Sequence, residues 1–186
     1  NARFSLDGNG SPIMPDEIKD LSIKIGNGVY TLGMGGLHST EAKISHVATD
    51  EIIIADNDVE SYYPRIILNQ KLYPKHLGPS FLTVFEYIVN KRIDAKGKAK
   101  ALKACDKIAA AGFKVVADSL KITINGSFGK FGNEFSRMYA PDLLLQVTIS
   151  GQLSLLMLIE ALEDAGIEVI SANTDGIVSK YHKSRH

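Results

Sequence analysis

Ile167-Glu168-Val169-Ile170-Ser171-Ala172, then Asn173-Thr174-Asp175-Gly176, then Ile177-Val178-Ser179-Lys180-Tyr181 reads as a strand, a tight turn and a return strand. Apolar residues, many of them β-branched, fill both arms, and the four residues between them are turn formers. The stretch therefore predicts a hairpin that presents a carboxylate at its tip. Before it, Leu144, Val147, Gly151, Leu155, Leu158 and Leu162 follow i, i+3/i+4 spacing, which predicts a helix from Pro141 to Ala165, ended by Gly166. A long helix running into a hairpin suits a layered α+β arrangement.

Working outward, Ser22 to Tyr30 alternates around Asn27-Gly28, a turn pair that tolerates positive φ, and predicts a second hairpin. Its second strand runs into Gly33-Met34-Gly35-Gly36, where glycines allow a close backbone approach. Glu51 to Ala55 is an Ile-rich strand entering Asp56-Asn57-Asp58, and Pro64 opens a short helix. Three helices are expected between the β parts: Phe81 to about Lys96, Ala99 to Ala111 stopped near Gly112, and Val115 to about Ile124. The order predicts an α+β layered domain with a helical section between two β parts.

Length and composition agree with that. The chain has 186 residues, 45% hydrophobic and 23% charged, enough for a sizeable core and unlike a disordered, collagen-like or disulfide-framed chain. The single Cys105 suits a reducing compartment and reads as a small core residue of the second helix. The uncharged run Leu143 to Ile159 carries Gln146, Thr148, Ser150, Gln152 and Ser154, so it reads as a buried helix rather than a membrane span. The opening Asn-Ala-Arg, without Met, reads as the scar of an excised fragment.

Lys+Arg and Asp+Glu both number 21, but they are segregated. Residues 61–107 hold ten basic and three acidic side chains, while residues 1–60 hold four and ten. A basic middle segment between acidic flanks suits a polyanionic ligand; a solvated helix face is the alternative. Lys98, Lys100, Lys103 and Lys107 read as surface charge. His38, His46, His76, His182 and His186 show no metal-ligand spacing.

Three segments carry chemistry. Asp58-Val59-Glu60-Ser61-Tyr62-Tyr63-Pro64 places a carboxylate at a strand end, beside a turn with free N–H groups, a geometry suited to metal on one side and phosphate on the other. Lys121-Ile122-Thr123-Ile124-Asn125-Gly126-Ser127-Phe128-Gly129 puts Lys121 and Asn125 on one helix face. Asn173-Thr174-Asp175-Gly176 presents the hairpin carboxylate. Read singly, Asp58 is a helix cap and Asp175 a turn residue. Asp56, two residues before Asp58 and on the same strand face, competes for the ligand role, and spacing to Ser61-Tyr62-Tyr63-Pro64 favours Asp58.

In order and type, these segments resemble the A, B and C motifs of family B DNA polymerases, phage-encoded members above all. That family reads Asp-x-x-Ser-Leu-Tyr-Pro, then Lys-x-x-x-Asn-Ser-x-Tyr-Gly, then Asp-Thr-Asp-Ser. Tyr30 with Gly35-Gly36 is similar to the Tyr-x-Gly-Gly motif near the template strand, and Arg92-Ile93-Asp94-Ala95-Lys96 to the Arg-x-x-x-Lys of the fingers. The resemblance implies palm for residues 1–75, helical fingers for 76–131 and palm again for 132–186. Nothing matches the exonuclease or the thumb.

The resemblance also implies roles. Asp58 and Asp175 hold two Mg²⁺ ions, for which Mn²⁺ substitutes. Ser61, Tyr62, Tyr63, Arg92, Lys96, Lys121 and Asn125 bind the dNTP, with Tyr63 beneath the sugar and Lys121 placed to protonate pyrophosphate. Tyr30, Gly35, Gly36, Phe128 and Gly129 meet primer–template DNA. It implies no membrane, and the cytoplasm of a bacterial host for a phage-encoded protein. Four positions depart from the pattern: Asn173 replaces Asp, Gly126 and Gly176 replace Ser, and Phe128 replaces Tyr. A non-catalytic DNA-binding palm and a two-metal nuclease are the competing readings.

Overall fold

The computed structural model describes residues 4–19, 21–41 and 43–185. The readings attached to Asn1-Ala2-Arg3 and to His186 lie outside the described residues. The chain divides into two units, one of residues 1–8, 12–62 and 145–186, the other of residues 9–11 and 63–144.

The first unit is a sheet layer. A small pair, β1 (Ser5–Leu6) and β2 (Pro12–Ile13), and the short helix α1 (Asp16–Lys19) precede the main sheet. That sheet contains β3 (Ser22–Ile25), β4 (Gly28–Leu32), β5 (Leu37–Thr40), β6 (Ile52–Asp58), β7 (Glu168–Asn173) and β8 (Gly176–His182). Its order is β3-β4-β5-β7-β8-β6, antiparallel throughout. The α+β class and the antiparallel, palm-like sheet are as expected from the sequence.

Local details differ. The first hairpin turns on Gly26-Asn27 rather than Asn27-Gly28, because Ile25 pairs with Gly28 and Gly26 carries the positive φ of +56°. A two-residue loop needs its left-handed residue inside the turn, and Gly28 already stands in the strand. β6 runs on through Asp56 to Asp58, since full pairing with β8 carries the polar residues along.

Helix α5 (Pro141–Asp164) supplies the layer beneath the sheet. Its Leu155, Leu156 and Ile159 form one core with Tyr30, Leu37, Val169, Ala172 and Ile177. By length and composition α5 is apolar enough to cross a membrane, but this stripe is the core beneath the sheet. Leu158 lies outside the stripe, 44% exposed, and Thr148 and Gln152 are buried on it instead. Gly166, at φ +75°, ends the helix as foreseen: its N–H donates to Glu163 and that of Ile167 donates to Leu162.

The second unit is helical. After α2 (Tyr62–Asn69), which begins in the first unit, come α3 (Ser80–Leu102) and α4 (Lys107–Gly129), packed side by side. Two helices stand where three were expected. Ala99 to Leu102 finishes α3, and Gly112 lies inside α4. A helical glycine costs about 1 kcal/mol relative to Ala, which tertiary packing overrides. The break falls at Asp106, whose side chain accepts from the Ala109 N–H at 3.0 Å and caps α4. Cys105, expected in the core, is exposed in that loop.

Residues 63–75 and 132–144 belong with the helices. There Phe85 stacks on Phe81, Phe81 meets Phe131 at a tilt, Phe131 meets Phe128 edge-on, and His76 meets the Arg137 carbonyl at 2.7 Å.

Candidate functional site

Three chain segments meet at one end of the sheet. Leu32 pairs with Leu37, which closes the Gly33–Gly36 loop with a 3.0 Å bond from the Gly33 N–H to the Gly36 carbonyl. His38 pairs with Asn173 and the Thr174 N–H donates to the Leu37 carbonyl at 2.8 Å, so the β7–β8 tip lies beside this loop. Asp58 pairs with Gly176, and the Val59 N–H donates to the Asp175 carbonyl at 2.9 Å. Asp58 and Asp175, separated by 116 residues in sequence, thus stand on adjoining backbone.

Glycines record how tight this end is. A Cβ on Gly176 would stand 2.5 Å from an Asp58 carboxylate oxygen, and one on Gly36 would meet Thr174 at 2.8 Å. Gly36 therefore admits the hairpin tip, whereas Gly35 has open space at its Cβ position. The loop is held from below by Gln152, which is 1% exposed. Its amide accepts from the Gly33 N–H at 2.9 Å and donates to the Gly33 carbonyl at 3.0 Å. Sequence reading missed this residue; an amide one turn after Thr148 on the buried face of a mostly apolar helix was the available signal.

Backbone strain gathers beside both carboxylates. Ser61 and Thr174 each adopt φ +56°. For a β-branched residue this is an outlier, and such conformations cost about 1–3 kcal/mol each. Thr174 immediately precedes Asp175, and Ser61 lets the chain turn from β6 into α2. The Thr174 hydroxyl donates to the Asn173 side chain at 3.0 Å, which gives the Asn in this position a defined local partner.

Asp56, Asp58, Asn173 and Asp175 all line one cavity of about 290 Å³. Register places Asp56 opposite Val178 and Asp58 opposite Gly176, so the two carboxylates share the sheet face turned away from the α5 core. The donor set is of hard oxygens, as Mg²⁺ requires. That ion is commonly held through one or two carboxylates plus substrate phosphates and water. Among the described residues no group of three His, Cys, Asp or Glu gathers that could hold a metal ion, so the oxygens offered here are those of the carboxylates and the Asn173 amide that line this cavity.

Two tyrosines take structural places. Tyr62 donates to the Gly151 carbonyl of α5 at 2.6 Å. Burial pushes its phenol above the ordinary range; a bond with Ser154 opposes this, and the Asp175 charge adds to it. The Tyr62 side chain is therefore engaged with α5. Tyr30, expected near a template strand, is 0% exposed and packs in the sheet core. Burial, with Glu163 and Glu41 nearby, raises its pKa to about 12. A ring on the inward face of a strand cannot reach a ligand, and position within the motif does not reveal that face.

In the second unit, Arg92, Lys96 and Lys121 line one groove of about 730 Å³ between α3 and α4. Lys100, Lys103, Lys107 and Lys114 line it too, all of them exposed surface charges gathered on one groove. Spacing was the missed signal: Arg92, Lys96, Lys100 and Lys103 recur every three or four residues, and Lys107, Lys114 and Lys121 every seven. Like charges at such spacing cost a few tenths of a kcal/mol each in a free helix. Lys98 does lie apart, paired with Asp94 at 2.8 Å.

Asn125 is exposed one turn beyond Lys121. The Tyr63 and Phe128 rings touch, with centroids 4.8 Å apart and planes at 38°. Gly126 and Gly129 face open space, so a side chain at 126 would fit.

No protein-family model matches the chain, and no curated protein sequence matches it. Among solved structures, the fold is similar to that of the family B DNA polymerase from the hyperthermophilic archaeon Pyrobaculum calidifontis. The TM-score is 0.54 at 18% identity, over 78% of this chain and 24% of that one. The chain thus spans about a quarter of the length of the structure it matches, and at this identity the likeness is one of fold.

Proposed function

We propose that this chain is the palm and fingers of a family B DNA polymerase, joining a dNTP to a primer 3′-hydroxyl under the direction of a template. The observation that carries the reading is the pairing of Asp58 with the β7–β8 tip, which brings two motif carboxylates together on the sheet of a polymerase-like fold. The motif variants suit a phage-encoded member acting in its bacterial host.

In this reading Asp58 and Asp175 hold two Mg²⁺ ions, or Mn²⁺ in their place. Ions held by Asp58 and Asp175 would supply Lewis-acid stabilisation of the charge that develops in nucleotidyl transfer. Arg92 binds two phosphate oxygens through its planar guanidinium, while Lys96 and Lys121 act as point charges and Asn125 contacts the same nucleotide. Lys121 also donates a proton to the leaving pyrophosphate. Tyr63, braced by Phe128, lies under the sugar and excludes a 2′-hydroxyl. Ser61 offers its turn to the triphosphate, and the Gly35-Gly36 loop and Gly129 allow DNA backbone to approach.

The test is dNTP binding by calorimetry with and without Mg²⁺ or Mn²⁺, on the wild type and on an Asp58→Ala, Asp175→Ala double variant. Metal-dependent binding that disappears in the double variant supports the reading. Binding of primer–template DNA with no metal-dependent dNTP affinity favours the non-catalytic alternative, for which Asn173 is the supporting residue. Loss of DNA substrate without added dNTP favours a nuclease.

A further inference from the structure

We propose that the outer part of the groove between α3 and α4 is a second anion site, formed by Lys100, Lys103, Lys107 and Lys114, that takes a linear chain of phosphates. The inference rests on the nucleotide-binding reading above and extends it outward from Arg92, Lys96 and Lys121.

The charge pattern is selective. Lys98 and Lys114 each have a carboxylate four residues away in sequence, Asp94 at 2.8 Å and Asp118 at 3.2 Å. Lys100, Lys103 and Lys107 have no acidic partner within 4.0 Å among the described residues. Asp118 is the one acidic side chain lining the groove, against six lysines and Arg92. The cations stand along facing stripes of two helices, so their fields add within the groove.

The floor decides the ligand class. Ala99, Ala110 and Ala117 line it, with Ala110 and Ala117 buried, and their methyl groups let a thin ligand lie between the lysine stems. No aromatic ring lines the groove. Phe113, the one aromatic residue in this stretch of α4, stands 5.6 Å from the Lys98 ammonium instead. Single-stranded nucleic acid sites combine a basic groove with aromatic platforms for the bases, and that second part is missing here. From Arg92 to Lys103 the helix rises by about 16 Å, room for several phosphates in line. The ligand is thus a phosphate chain, either inorganic or the tail of a nucleoside triphosphate.

The test is titration with inorganic tripolyphosphate in EDTA, at several salt concentrations. The wild type, a Lys100→Gln, Lys103→Gln, Lys107→Gln, Lys114→Gln variant and the corresponding Lys→Arg variant are compared. The Gln variant should bind at least about 10-fold more weakly with a shallower salt slope, and the Arg variant should bind like the wild type. Metal-free dATP competing at similar concentration identifies a nucleotide tail as a source; tripolyphosphate binding alone identifies the inorganic chain. Equal binding by the Gln variant, or wild-type binding insensitive to salt, overturns the proposal. So does an oligo(dT) that binds far more tightly than tripolyphosphate through these same lysines, which marks a strand site. The Asp58→Ala, Asp175→Ala variant should bind tripolyphosphate normally, so loss of metal-dependent dNTP binding and loss of this site are separate results.

Discussion

Asp58 stands opposite Gly176 in the β6–β8 ladder, its carboxylate 2.5 Å from the place a Cβ at position 176 would occupy. A side chain at position 176 would therefore shift the Asp58 carboxylate. Gly176→Ala should leave the fold intact, because the atom that must move is the end of a side chain. Metal-dependent nucleotide affinity should fall on the order of 10-fold, since small misplacements of reacting groups are costly. Calorimetry on the variant checks this, and unchanged affinity would mean that the Asp58 carboxylate is not a ligand.

Asp56 and Asp58 share a strand face and a cavity, so substitution separates their roles. Asp58→Asn should abolish metal-dependent dNTP binding, whereas Asp56→Asn should reduce it by no more than a few-fold. A larger loss at Asp56 would move the metal site along β6.

The Tyr63–Phe128 contact links two motifs through one pair of rings. Aromatic pairs contribute about 0.5–1.5 kcal/mol beyond burial, enough to hold a ring in one orientation. Phe128→Ala should therefore relax discrimination against ribonucleotides in the same direction as Tyr63→Ala, and by less. Competition between dNTP and rNTP, read as a ratio of incorporation or affinity, measures it. Full discrimination in both variants would place the sugar gate elsewhere.

Tyr30 gives a pH signature. Its phenol ionises near pH 10 when unfolded and near pH 12 when folded. Between these values the unfolded chain binds fewer protons, so this contribution is complete below pH 10 and is lost as pH rises toward 12. The loss amounts to about 2–3 kcal/mol at most. No protein group accepts the buried hydroxyl proton among the described residues, so Tyr30→Phe should be at least as stable as the wild type at neutral pH. Urea denaturation at pH 8 and at pH 11 should show the wild type losing more stability than the variant. An identical loss in both would mean that the ring is not buried in solution.

Elements with a short-range cause were legible in the sequence. The β7–β8 hairpin, the length of α5 and its end at Gly166 follow from turn chemistry and periodicity, which act over a few residues. The order of the three motifs was legible for the same reason. Helix boundaries were legible only in part: the break at Asp106 falls inside a stretch that reads as one helix, and Gly112 reads as a stop until the packing of α3 against α4 is known.

What the tertiary structure alone decided depends on residues far apart in the chain. Register brings Asp58 to Gly176, and a one-residue slip would turn its carboxylate to the other face. The sheet packing on α5 buries Tyr30 and turns Tyr62 toward Gly151, although both belong to motifs that read as ligand contacts. The antiparallel packing of α3 on α4 gathers lysines from positions 96 to 121 into one groove. Periodicity assigns each lysine a helix face, but only the partner helix determines which faces look at each other.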